Sequence, residues 1–304
     1  MIQTFLTSLC DGIFEDFGSP VNLMRLIRQY PNMRVDIAEL NQSIAYDSVV
    51  PWHKLGNLPN SRWPRPDTGT LVGWRKTGNQ YSGFSLNIIA LVNFGHCYET
   101  KSWTCEIQDV DGLANSKSTL TDFSSLDDMV TKNSPAMVKD LNEAGLEVNL
   151  AHSAERIFSD THFENHLWDG RLFLMNIDGS HHFSAARLIA GRIGKLVPLK
   201  GRLSTNAINA ASVKALCREY DLFVISDDAA IANAFYNAME SFGATYLGLE
   251  MPKPYENTRA ILLPRNETRS VRVSKALREA GMFDFGKYLA QLCDRQDQQR
   301  RLAA

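Results

Sequence analysis

The run from Leu172 to Leu199, LFLMNIDGSHHFSAARLIAGRIGKLVPL, constrains the fold more than any other stretch, because strand, turn and helix signals follow one another without a break. Leu172 to Ile177 is an apolar run of strand length, and Asp178-Gly179 supplies the turn chemistry that ends it. Asp178 or Ser180 then caps a helix in which Phe183, Ala186 and Ala190 recur at helical spacing, flanked by Ala185, Leu188 and Ile189. Gly191 and Gly194 stop the helix, and Lys195 to Leu199 reads as a second short strand reaching Pro198. Such a unit leaves helix N-terminal N–H groups unpaired beside a glycine, where phosphate oxygens can approach the backbone with His181 and His182 close by.

At these residues the chain resembles the ParB/sulfiredoxin-like superfamily, whose core reads as an apolar strand, Asp-Gly-x-His-Arg, an Ala-rich helix, a glycine and a Val-Pro strand. The matching segment is IDGSHHFSAARLIAGRIGKLVPL. The resemblance implies a turn that holds nucleotide phosphates, as in CTP-binding partition proteins, ATP-using sulfiredoxins, free-serine kinases and nucleases of that superfamily. It places Gly179, Ser180, His181 and His182 in the phosphate-binding box, with Asp178 just before it. Two positions depart from the pattern. Ser180 stands where sulfiredoxins carry their catalytic cysteine, which removes sulfinic-acid reduction by that route. His182 stands where most members carry arginine, and a largely neutral imidazole grips phosphate less firmly.

A chain of 304 residues can bury a substantial core in one large domain or two smaller ones. Its 44% hydrophobic and 22% charged residues exclude disorder of the whole chain, and a net charge of -2 gives no global basic field for nucleic acid or anionic membrane. No apolar run approaches the ~18 to 20 residues of a membrane span, and the start MIQTFLTSLCDGIFEDFG lacks a signal peptide's basic opening and apolar centre. The expected location is cytoplasmic, without a membrane partner. Cys10, Cys97, Cys105, Cys217 and Cys293 are scattered without a Cys-x-x-Cys pair, which suits reduced thiols.

Before the central motif, Met1 to Phe17 reads as an amphipathic helix, and Ser19-Pro20 opens another that carries Arg25 and Arg28, with Arg34 beyond. The proline-rich stretch Asn41 to Gly83 reads as loop, where Trp52, Trp63 and Trp74 pin it to a core or, with Arg62, Arg65 and Arg75, stack bases. Phe84 to Phe94 and Lys101 to Val110 read as two strands, placing His96 at their connection and Cys97 opposite Cys105. The polar segment Ala114 to Asn133 marks the boundary between a region 1–120 of unknown class and a region 121–304 that holds the ParB/sulfiredoxin-like core. Pro135 to Ala144 reads as a helix capped by Gly145, with a strand Leu146 to Leu150 after it. In THFENHLWDGR, His162 and His166 would share one face of a helix as a metal pair, with Glu164 pointing elsewhere, and Asp169-Gly170 reads as a hairpin turn.

After the motif come a helix Asn209 to Tyr220, a buried-type strand Asp221 to Ser226, a helix Ala229 to Phe242, and strands Ala244 to Leu249 and Ala260 to Leu263. Asp227 and Asp228, at a strand end, either cap the next helix or hold a divalent cation on a phosphate. Arg269, Arg272, Lys275 and Arg278 track one side of a basic helix near the end.

These readings predict a mixed α/β protein that binds a nucleotide or other phosphate ligand at Asp178 to His182, with ATP or CTP and Mg2+ as candidate cofactors. NTP hydrolysis or nucleic-acid cleavage would use Asp178, His181 and His182 as the catalytic groups, with Asp227 and Asp228 as metal candidates. The alternative is a non-catalytic module that keeps the fold and binds DNA or a host protein, as a mobile-element or phage interference protein would.

Overall fold

The computed structural model describes residues 15, 18–37, 42–58, 68–156 and 161–302. Nearly all of the helix expected over Met1 to Phe17, with Cys10, lies outside them, as do Arg62, Trp63 and Arg65 of the stacking platform. In chain order the described helices and strands begin with α1 (Val21–Gln29), β1 (Thr70–Thr77), β2 (Gln80–Asn87), α2 (Ile89–Val92) and β3 (Gly95–Glu106). There follow β4 (Gly112–Leu113), α3 (Leu126–Asn133), α4 (Glu143–Arg156), β5 (His162–His166), β6 (Leu172–Leu174), α5 (Ser180–Ile193) and β7 (Pro198–Ile208). The last are α6 (Ala210–Glu219), β8 (Tyr220–Ser226), α7 (Ala229–Phe242), β9 (Tyr246–Glu250), β10 (Thr258–Pro264), α8 (Thr268–Glu279), β11 (Phe283–Asp284) and α9 (Phe285–Leu302).

The mixed α/β class holds, and the chain divides into two compact units that interleave in sequence. The first takes Met1–Ala38, Pro51–Gly95 and Ile208–Cys293, and the second takes Glu39–Val50, His96–Ala207 and Asp294–Ala304. Neither unit ends at residue 120. In the first unit six strands form a sheet in the order β11-β8-β10-β9-β1-β2, with antiparallel neighbours throughout. One face packs Phe223, Ile225, Tyr246 and Ile261 against α1, α7 and α8 through Leu23, Leu26, Phe235, Met239 and Leu277. In the second unit the order is β3-β7-β5-β6-β4, and the sheet is mixed: β5 runs antiparallel to β6 but parallel to β7, and β4 runs parallel to β6. Phe163, Leu174, Phe183, Ile189 and Leu126 meet in its core.

The central motif folds largely as its residues dictate. Helix α5 spans Ser180–Ile193 and is closed by Gly194 in the left-handed region, while Gly191 sits inside it. The strand after it starts at Pro198 and runs to Ile208, so Lys195 to Val197 are connection and the strand is longer than expected. Asp169-Gly170 does make the turn between β5 and β6, with Gly170 at φ 88°.

Elsewhere local signals misled. Only the end of β2 falls in the stretch Phe84 to Phe94, because β1 and β2 form a hairpin through Gly78 (φ 60°) and Ile89–Val92 coils as a helical turn that buries Leu91. His96, Cys97 and Cys105 all lie on the single strand β3, so the two thiols are not opposed. Asn142 accepts a hydrogen bond from the Gly145 amide (2.9 Å) and so starts α4 where a helix end was expected; Leu146 to Leu150 are helical. Residues 162–166 form a strand, whose period of two brings Glu164 onto the same face as His162 and His166. In α8, Arg269 donates to the Phe242 carbonyl, Arg278 pairs with Asp221 at 3.2 Å and Lys275 with Glu279 at 3.7 Å, so these side chains serve the fold. No helix among the described residues is long and apolar enough to cross a membrane.

Burial in the first unit pushes the His53 imidazole from 6.5 down to about 4, with the Lys54 charge a smaller cause. Between these values the unfolded chain binds the extra proton, so the contribution is fully present above 6.5 and is lost as pH falls toward about 4. Urea midpoints of wild type should therefore fall across this window, and His53→Gln should flatten the dependence. An unchanged slope in the variant would assign the acid sensitivity to other groups.

Candidate functional site

The strand β4 runs parallel to β6, and the Ala114 amide donates to the Leu174 carbonyl (3.0 Å). The loop after β4 therefore lies against the turn after β6. Asn176, buried, clasps the two: its Nδ2 donates to the carbonyls of Asn115 (2.8 Å) and Asp178 (3.2 Å), and its Oδ1 accepts from the Asn115 amide (3.3 Å). Asn115 Nδ2 in turn donates to the Ile177 carbonyl (3.1 Å). Asp178 accepts from the Gly179 amide at 2.7 Å, and Gly179 adopts φ 78°, ψ 9° as α5 begins. Only glycine enters this left-handed region without strain, and no side chain caps the helix. The first N–H groups of α5 carry the positive end of its dipole, and the loop after β4 lies beside this helix start, touching the Ser180 and His181 side chains.

That loop, Asn115-Ser116-Lys117-Ser118, is rich in hydroxyls and carries a cation. Ser180 Oγ donates to Ser116 Oγ (2.9 Å), which also accepts from the Ser118 amide (3.1 Å). The His181 ring is held on both nitrogens, with Nε2 3.2 Å from Ser118 Oγ and Nδ1 2.7 Å from Ser134 Oγ. Burial lowers its affinity for a proton and the Lys117 charge lowers it further, so the ring is neutral at pH 7. It is a fixed hydrogen-bonding group with its two ring nitrogens already engaged.

His182 turns toward α4. Asn149 donates through Nδ2 to the carbonyls of Gly145 (2.9 Å) and Met137 (3.2 Å), which directs its Oδ1 to His182 Nδ1 at 2.9 Å. An amide oxygen can only accept, so His182 Nδ1 is the donor in this bond. The His152 ring lies 3.8 Å away, centroid to centroid, and His182 borders an open cavity of about 310 Å³ together with Asp140, Asn142 and Met137. The two adjacent histidines thus serve different surroundings, and only His181 stands with Ser180 beside the serine loop.

The family model of DUF6685, a family of unknown function, matches residues 100–302. The chain belongs to this family. No curated protein and no solved structure matches it. The DUF6685 match includes the serine loop, all of α5 and the Asp227-Asp228 pair.

In this DUF6685 chain the two aspartates do separate work. Asp227 holds Arg259 through two bonds, Nε at 2.9 Å and Nη2 at 3.2 Å, whereas Asp228 caps α7 by accepting from the amides of Ala230 (3.0 Å) and Ile231 (3.3 Å). Among the described residues no group of three or more His, Cys, Asp and Glu side chains is placed to hold a metal ion. His162 Nε2 lies 2.9 Å from Ser204 Oγ, and His166 lies 4.0 Å from Glu164. Glu164 Oε1 accepts from the Tyr46 hydroxyl and from Asn206 Nδ2 (2.5 Å). Burial first, and then Glu164, raise the Tyr46 hydroxyl well above its usual value, so it stays a donor. Tyr46 and Asn206 carry no motif. Reading 162–166 as a strand would have revealed the shared face, but the partners come from distant chain segments.

Proposed function

We propose that the start of α5 binds a phosphate-bearing ligand, with the Ser116-Lys117-Ser118 loop as the opposing wall. The observation that carries this reading is the left-handed Gly179, which opens a 14-residue helix without a side-chain cap beside that loop. Backbone amides, serine hydroxyls and one lysine suit phosphate oxygens. The ParB/sulfiredoxin-like resemblance makes ATP and CTP, with Mg2+, the first candidates. Binding is favoured over turnover, because His181 has both ring nitrogens engaged and His182 has its Nδ1 engaged.

Calorimetric titration with pyrophosphate, ATP and CTP, with and without Mg2+, tests the reading. Saturable binding to wild type is expected, weakened about 10-fold by Lys117→Ala through loss of a charge-assisted contact. Absence of heat from all three at millimolar concentration in wild type would remove it.

A second reading, a non-catalytic module for a macromolecular partner, has one observation of its own. Ile177, at the tip of the same turn, is 87% exposed, an apolar contact point for a protein or a nucleic-acid base. Steep weakening with salt would indicate DNA, and indifference to salt a protein.

A further inference from the structure

In the first unit a cavity of about 390 Å³ lies between one face of the antiparallel sheet and α7. Its floor follows from register. Trp74 on β1 pairs with Tyr246 on β9, so their rings stack across the strands at 5.3 Å and 21°. Ile261 pairs with Gly248 on the same face, Gly248 lying two residues from Tyr246 and Ile261 two from Arg259. Gly248 has no side chain to obstruct Arg259: a Cβ there would lie 3.1 Å from Nη1 and 3.2 Å from Cδ. The roof is the α7 face Ala229, Ala232, Asn233 and Tyr236, spaced at helical intervals. Its two alanines fill little of the space, and this is why a cavity remains between two otherwise close-packed layers.

Tyr246 is only 5% exposed and lines this cavity, yet among the described residues its hydroxyl has no hydrogen-bond partner. The hydroxyl oxygen is not among the buried polar atoms left without a partner, so it opens onto the cavity, where a ligand or water can meet it. Burial keeps it protonated, and so available as a donor. Asp227 takes Nε and Nη2 of Arg259, cancelling its charge while leaving Nη1 as a second donor. Aromatic walls, a neutral ion pair and donors at one end form the usual composition of a small-molecule site.

We propose that this cavity binds a flat, uncharged heteroaromatic compound of one or two fused rings, stacked against Trp74, with hydrogen-bond acceptors on its edge facing Tyr246 and Arg259. The site is separate from the phosphate seat and stands or falls without it. A flat ring suits this lining because Trp74 and Tyr246 form one stacked aromatic slab while Tyr236 stands edge-on to Trp74 at 83°. Charged rings do not fit, because the guanidinium is already neutralised.

Caffeine serves as the probe and cyclohexanol, non-planar, as the control, with tryptophan fluorescence and ligand-observed NMR on the full chain. Caffeine is expected to saturate with a Kd in the low millimolar range or tighter, and cyclohexanol is expected not to bind. Ala232→Trp, which fills the cavity, should abolish caffeine binding. Tyr246→Phe, which keeps the ring and removes only the unpartnered hydroxyl, should weaken it about 3- to 10-fold. The proposal is overturned if caffeine fails to bind wild type up to about 10 mM, if cyclohexanol binds equally well, or if Tyr246→Phe leaves the affinity unchanged.

Discussion

Replacing Phe183 by alanine is expected to destabilise the second unit by about 3–5 kcal/mol, the largest single-residue effect foreseen here. The ring is 0% exposed, and it lies on the inner face of α5 among Phe163, Leu174 and Ile189, all of them buried. The packed sheet beneath cannot collapse into the space, so the loss combines transfer and cavity terms. Phe183 also sets the height of α5 on its sheet, two residues after His181, and thereby the position of the helix start. Denaturant unfolding should show the loss, and Phe183→Leu should recover most of it. A loss below about 1 kcal/mol for the alanine variant would mean that α5 is not anchored through this ring.

The second large effect concerns Asp227. Its carboxylate and the Arg259 guanidinium are 12% and 18% exposed, so removing one partner leaves the other charge poorly solvated. Asp227→Ala should cost about 2–4 kcal/mol, somewhat below the figure for a fully buried pair because both groups retain some water. The double variant Asp227→Leu/Arg259→Met should recover much of that loss, since an apolar pair of similar volume carries no desolvation penalty. If the double variant were instead the sum of the two single losses, the pair would not be coupled. Unfolding midpoints of Asp227→Leu, Arg259→Met and the double variant decide between these results.

The parts of the fold that could be read from sequence are those set by short-range chemistry. Asp178-Gly179 followed by Phe183, Ala186 and Ala190 specifies a turn and a helix, and both form, although the helix starts at Ser180 behind Gly179 and neither Asp178 nor Ser180 caps it. Asp228 before an alanine-rich run is a cap, and it caps α7. The strand expected over Asp221 to Ser226 from its apolar run forms as Tyr220–Ser226. Where local signals compete, tertiary partners decided the outcome. The residues Gly145 to Leu150 carry a glycine and a valine that disfavour helix, yet the Asn142 cap and packing of Leu146 in the core make them helical. The interleaving of the two units is invisible locally, because it depends on which distant segments pair.

The candidate site divides in the same way. Gly179, Ser180 and His181 were legible as a helix start. The Ser116-Lys117-Ser118 wall was not, because it arrives through the parallel pairing of β4 with β6 and the Asn176 clasp, which spans 61 residues. His181 and His182 look equivalent in sequence, yet helical geometry sends one to the serine loop and the other to Asn149 and His152. The aromatic cavity was legible only as a tryptophan, since its shape depends on the Trp74 to Tyr246 register.

The most direct measurement of the phosphate reading is backbone amide NMR during titration with pyrophosphate. Ser180, His181 and His182 are predicted to show the largest downfield amide shifts, joined by Ser116 to Ser118, with one saturation curve for all. Shifts that are spread over surface lysines and arginines without saturating, or that leave the α5 amides unmoved, would contradict the account.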